Sequence, residues 1–211
     1  MKHITKRGEP ESFAKWKASG TAEWQPEYSN MPSQIKSVLK SALISEQGCI
    51  CCYCESKLAD KNSHIEHFKP QSNSEADPLD FKNMLCSCQN QLKRGEPLHC
   101  GNYKSNWFDA ELLISPLNRN CEDHFSFTGN GGILPRDEND RKAIETIRRL
   151  GLNIPKLIDM RAKAIEPFLD DSLSHQEFSR LVVGYLEKDK SGAFGAYWTT
   201  IYYLFRELAT L

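Results

Sequence analysis

Apolar positions along the 211-residue chain follow helical spacing at several places and lose it over a long middle stretch. From Ser33 onward, Ile35, Val38, Leu39, Ala42 and Leu43 recur with the period of one helix face, and Pro32 or Ser33 stands near the start. Gly48 is placed to end that helix, because glycine closes helices in the left-handed conformation at little cost.

The spacing returns toward the C-terminus. Ile144, Ile147 and Leu150 form a stripe closed by Gly151, and Pro155 suits the first turn of a further helix with Leu157, Ile158 and Ile165 inward. Ser174 and Glu177 make a capping-box pattern ahead of Phe178, Leu181 and Val182. Phe194, Tyr197, Trp198, Ile201, Tyr202, Phe205 and Leu208 give the last helix a broad apolar face, read as core or as a partner surface.

The middle of the chain is instead rich in Cys, His, Asn and Gly. The expected class is therefore α+β, mainly α-helical, with a small metal-held core between helical flanks. Three zones follow: an N-terminal helical segment at 1–48, the metal-held core at 49–125, and a C-terminal helical region at 136–211 for partner docking or core packing. No internal repeat and no low-complexity segment is visible.

Composition narrows the classes. Hydrophobic residues at 39% and aromatics at 10% support a packed core and exclude wholesale disorder. A net charge of -1 excludes a protein coated in basic residues, so any polyanion contact needs a local patch or a metal ion. The charge-free run from Ser191 to Phe205 is too short for a bilayer span, and Met1-Lys2-His3 begins no apolar signal region. The expected location is cytoplasmic, without membrane contact.

All eight cysteines lie between Cys49 and Cys121. With no export signal and with short spacings, they read as metal ligands rather than as a disulfide framework. Cys51 and Cys54 are separated by two residues, so one tight turn can present both thiolates to a tetrahedral zinc ion. Cys86, Cys88 and Cys100 form the downstream group. Cys49, Cys52 and Cys121 read more simply as small buried hydrophobes.

Between the two groups runs His64-Ile65-Glu66-His67-Phe68-Lys69-Pro70, a short strand ended by proline. A zinc finger using Cys51, Cys54, His64 and His67 has intervals shorter than that motif requires. A zinc deaminase would use the H-x-E at His64 and Glu66, but the downstream P-C-x-x-C is missing.

More residues are accounted for together. Cys51-x-x-Cys54, Glu66-His67-x-x-Pro70, Asn83-x-Leu85-x-x-Cys88 and Cys100-x-Asn102-x-Lys104 resemble the HNH nuclease motif. That resemblance implies a ββα-metal core with a structural zinc on Cys51, Cys54, Cys88 and Cys100, and a catalytic Mg2+ or Mn2+ on Glu66 and Asn102. His67 would be the general base, Asn83 would hold the loop that orients it, and Lys104 would contact phosphate. Glu66 departs from the family's usual aspartate. The stretch from Gln89 to His99 splits the second zinc half, so Cys49, Cys86 or His99 could enter the ligand set instead.

Met1-Lys2-His3-Ile4 with Pro10, Gln47-Gly48 before Cys51-x-Tyr53-Cys54-Glu55, Ile65 to Phe68, Cys100 to Lys104 and Leu150-Gly151-Leu152-Asn153 extend the likeness. Together they resemble the PtuB family, the HNH subunits of Septu anti-phage systems that also occur beside retrons. The resemblance implies cleavage of nucleic acid, with DNA as the expected substrate and tRNA as the other. It also implies a PtuA-type ABC/SMC-like ATPase partner and, in a retron setting, a reverse transcriptase with its DNA-RNA product. The competing class is a catalytically silent zinc adaptor that recruits nucleic acid or the ATPase. Lys69, Lys93, Arg94 and Lys104 flank the site, while Arg141, Lys142, Arg148 and Arg149 read as a solvated helix face paired with Glu145.

Overall fold

A computed structural model describes residues 1–209. Among the described residues the chain is a mainly helical α+β protein with two separate two-stranded antiparallel sheets. In order, the elements are α1 (Glu11–Lys17), α2 (Ser33–Glu46), β1 (Ser63–His67), β2 (Met84–Cys88), α3 (Cys100–Lys104), β3 (Phe125–Phe127) and β4 (Ile133–Pro135). Four helices follow: α4 (Arg141–Arg149), α5 (Pro155–Ile165), α6 (His175–Leu186) and α7 (Trp198–Phe205). None of the described helices is long and apolar enough to cross a membrane.

Helix α2 starts and stops where its sequence suggests, after Pro32 and before Gly48 at φ +65°. Its buried stripe is narrower than the periodicity implied. Leu39 and Leu43 are fully buried, whereas Val38 is 47% exposed, because the helix meets α1 and the β1–β2 hairpin on one side only. Helix α1 has no counterpart in the sequence reading. Phe13 and Trp16 give it a single buried pair across seven residues, too few for a period to emerge.

In α4 the core-facing residues are Ala143 and Thr146, with Leu150 at the C-cap, and Ile144 stands 40% exposed. The helix is turned from its expected orientation because the Thr146 hydroxyl serves the preceding loop. It accepts from Ile114 N at 2.9 Å and donates to Leu112 O at 3.2 Å. Pro155 opens α5, and the Ser174–Glu177 capping box opens α6. Helix α7 is shorter than expected, since Tyr197 precedes it in the left-handed region at φ +55°. Its Thr199, Thr200, Ile201 and Phe205 pack inward, Leu208 lies exposed, and Trp198 stacks on Tyr202 at the half-buried margin.

Three apolar clusters hold these pieces. One joins the cysteine region to β3, β4, α4 and α5; a second packs α1 and α2 on the hairpin; a third joins the end of α5 to α6 and α7. The hairpin is therefore clamped between two clusters, with one on each face.

Candidate functional site

The β1–β2 hairpin pairs Ser63 with Cys88 at one end and His67 with Met84 at the other. Gln47, just past α2, ties the helix to β2: its Oε1 accepts from Cys86 N at 2.7 Å and its Nε2 donates to Cys86 O at 2.9 Å. Nothing in the sequence around Gln47-Gly48 signals this clamp, because its partner Cys86 lies 39 positions away.

The hairpin brings the separated cysteines together. The sulfurs of Cys51, Cys54, Cys88 and Cys100 all lie within 4.8 Å of one another and all four residues are buried. Cys54 and Cys88 sulfurs are 3.8 Å apart, far beyond the ~2.05 Å of a disulfide. That separation suits two thiolates bound at ~2.3 Å around one tetrahedral ion. The group could hold a metal such as zinc. Burial opposes ionisation of Cys51, but the thiols of Cys100, Cys52, Cys54 and Cys88 donate to it and hold it well below the usual thiol range. A donor at Cys100 likewise holds Cys54 near 6. A cation would take the place of those donors.

Cys86 and Cys121 stand apart from the group. Burial pushes Cys86 and Cys121 up to about 12, leaving protonated thiols that pack as small apolar groups. His99 Nδ1 lies 3.2 Å from Cys100 Sγ and 3.7 Å from Cys88 Sγ, beside the four-sulfur group. Neighbouring backbone is bent to make the cluster: Glu55 follows Cys54 at φ +64° and Cys100 itself sits at φ +55°. Each such non-glycine residue costs about 1–3 kcal/mol, which the surrounding contacts must over-determine. The carbonyl of Leu150, past the end of α4, accepts from Cys100 N at 2.7 Å.

Strand alternation decides the rest of the site. His64 and Glu66 project from one face of β1, and Ile65 and His67 from the other. A ligand set joining His64 and His67 on one ion is thereby excluded. Glu66 is buried, and its Oε1 accepts from Tyr53 OH at 3.0 Å and pairs with Lys104 Nζ at 3.0 Å. Burial works against its ionisation, but the facing His64 imidazole and the Lys104 ammonium outweigh it and hold the carboxyl below its usual range. Tyr53 was missed as a partner because nothing in a C-x-Y-C run says which way the ring turns.

His67 lies on the opposite face against Tyr28, whose ring meets it edge-on at 4.7 Å. Its Nε2 sits 3.0 Å from the carbonyl of Pro78, which can only accept, so Nε2 carries the proton. Nδ1 is then the basic atom, facing Gln71 Nε2 at 3.2 Å. Burial holds its pKa below the ordinary histidine value, against the Pro78 bond and the Glu66 charge that raise it.

Asn83 is bonded to both backbone groups of one residue: Oδ1 accepts from Lys69 N and Nδ2 donates to Lys69 O, each at 2.8 Å. It closes the base of the loop that runs from His67 to β2. Asn102 donates to Gln89 O at 2.6 Å, and its Oδ1 accepts no hydrogen bond among the described residues.

Lys104 is placed differently from the sequence expectation of a phosphate contact. It is buried, and its ammonium reaches the carbonyls of His67 at 3.2 Å and Phe68 at 3.3 Å as well as Glu66. Its α3 position puts it under the hairpin, so the charge is used internally. On α4, Arg148 and Arg149 pair with Glu145, as a solvated face would.

No protein-family model matches the chain. Over 63% of its length it is 35% identical to a protein of Vibrio cholerae serotype O1 biovar El Tor named "Retron Vc95 putative HNH endonuclease". That match spans 65% of the Vibrio protein, just under two thirds of its length. A second relative, the Escherichia coli "Retron Ec83 putative HNH endonuclease", is 26% identical over 80% of both chains.

Proposed function

We propose that the chain is an endonuclease of the HNH type, a hydrolase that cuts phosphodiester bonds in nucleic acid as the effector of a retron- or Septu-like anti-phage system. The observation that carries this reading is the antiparallel hairpin whose β1 ends on Glu66-His67, joined to α3 by the four-cysteine group. The two retron-associated relatives support it. The cysteine group takes zinc as a structural ion, and Glu66 and Asn102 hold Mg2+ or Mn2+. Carboxylate and amide oxygens suit those hard ions, as thiolates suit zinc.

The residues of the chain then divide the work. His67, kept neutral by burial and oriented by Pro78, takes a proton from water through Nδ1 once Gln71, which faces that atom at 3.2 Å, turns aside. The water oxygen attacks phosphorus, the bond to the leaving oxygen breaks, and that oxygen is protonated from solvent. When bound, the divalent ion supplies charge stabilisation for the phosphate and the leaving oxygen. Asn83 keeps the His67 loop in register, and Lys104 fixes the backbone at His67 while balancing Glu66.

A near-neutral subunit needs help to grip a polyanion, which favours a PtuA-type ATPase partner, and in a retron setting the reverse transcriptase with its DNA-RNA product. A silent zinc adaptor is the second reading, favoured by the lysine ammonium on Glu66. Zinc-loaded wild type and His67→Ala, each with the ATPase, should be offered DNA and a tRNA pool with Mg2+ or Mn2+. Cleavage by wild type alone supports the nuclease and identifies its substrate. Equal cleavage by both removes His67 from the chemistry.

A further inference from the structure

Gly101 is the α3 residue directly beneath the outer end of two β1 side chains. A Cβ there would fall 2.3 Å from Glu66 Oε2 and 2.9 Å from His64 Nε2, so a side chain at this position would occupy the space these two donors face. His64 Nε2 and Glu66 Oε2 stand 3.5 Å apart. That is long for a hydrogen bond, and it lies within the span of two donors around a small divalent cation at about 2.0–2.2 Å from each.

The two ends of the carboxylate are unequal. Oε1 is already served by Tyr53 and Lys104, whereas the facing partner of Oε2 is the imidazole. His64 Nδ1 is itself buried and has no hydrogen-bond partner among the described residues. The ring is therefore held at this spot by nothing on its far side, at a cost of about 1–3 kcal/mol for an unsatisfied buried polar atom. His64 also lines a cleft of about 410 Å³ between α2 and β1, with Lys36, Lys40 and Asn90; Glu66 and Gly101 do not border it.

We propose that His64 is a ligand of the divalent ion, bonded through Nε2, with Glu66 Oε2 as its neighbour in the coordination sphere. The inference rests on the nuclease reading only in sharing Glu66 as a ligand. The i, i+2 pair on β1 supplies from the strand a nitrogen donor for which α3, with glycine at this position, has no side chain.

The test uses the zinc-loaded full chain and Mn2+ alone as the probe. Pulsed electron paramagnetic resonance of the bound Mn2+ should show coupling to a directly bonded 14N in wild type. His64→Ala should lose that coupling and bind Mn2+ at least about tenfold more weakly, with zinc content and melting temperature kept. Gly101→Ala removes no donor, and it should also expel Mn2+ because its methyl enters the same space. Wild-type Mn2+ without nitrogen coupling, no Mn2+ binding at all, or unchanged affinity in His64→Ala would each overturn the assignment. If wild type still cleaves nucleic acid in those cases, only the ligand role of His64 falls and the nuclease reading stands.

Discussion

Lys104 neutralises Glu66 from inside the protein, its Nζ lying 3.0 Å from Glu66 Oε1 while also reaching the carbonyl of His67 at 3.2 Å. One side chain of α3 thus couples the charge of one candidate site residue to the backbone position of the next.

Replacing Lys104 with Met should cost about 3–5 kcal/mol of stability, because it leaves a buried carboxylate without its cation. Urea unfolding of the zinc-loaded protein measures this. A surface lysine serving only phosphate would leave the unfolding midpoint where it was.

Asn83→Ala removes both bonds to the Lys69 backbone, and a loss of about 1–3 kcal/mol follows. Hydrogen exchange should accelerate at Lys69 N, and cleavage should fall while zinc stays bound. Unchanged exchange at Lys69 would mean that other contacts hold the loop.

Metal content should discriminate among the cysteines. Elemental analysis is expected to find one zinc per chain, lost in Cys54→Ser and retained in Cys86→Ala and Cys121→Ala, whose thiols are held protonated. Chelation should lower the melting temperature, since the four sulfurs join the turn after α2, the hairpin and α3. Zinc retained in Cys54→Ser would break the four-sulfur assignment.

Asp140 gives a pH dependence with a defined sign. It caps α4 through Ala143 N at 3.0 Å and meets His124 Nδ1 at 2.6 Å. Burial opposes its ionisation, but those bonds outweigh it, so the folded carboxyl lies below its ordinary value of 3.8. A lowered folded pKa means the stabilisation is present above the unfolded pKa and is lost as pH falls through the folded one. Asp140→Asn should therefore cost about 0.5–1 kcal/mol at pH 7. The gap in melting temperature from wild type should narrow below about pH 4. A gap independent of pH would show that the charge contributes nothing.

Much of the architecture was legible along the chain. Proline at the start of α5, serine and glutamate around the start of α6, and glycine after α2 and α4 act within a few residues, so local sequence carries them. Helix α1 and the β3–β4 pair were not legible, since seven and three residues hold too little pattern to stand out. The exposure of Ile144 was hidden for another reason: a hydroxyl obligation of Thr146 to residues over thirty positions away sets the helix rotation.

For the candidate site, sequence alone determined the chemistry available. Two groups of cysteines with metal-ligand spacing, and a Glu-His pair followed by proline, were visible because ligand spacing within one turn is a local property. Only the tertiary structure decided how those groups are used. The β1–β2 register brings Cys88 to Cys54, the pleat sends Glu66 and His67 to opposite faces, and α3 places Gly101 under His64 and Lys104 against Glu66. These relationships depend on packing between segments tens of residues apart, where burial and unpaired charge, rather than neighbouring residue types, set the lowest free energy.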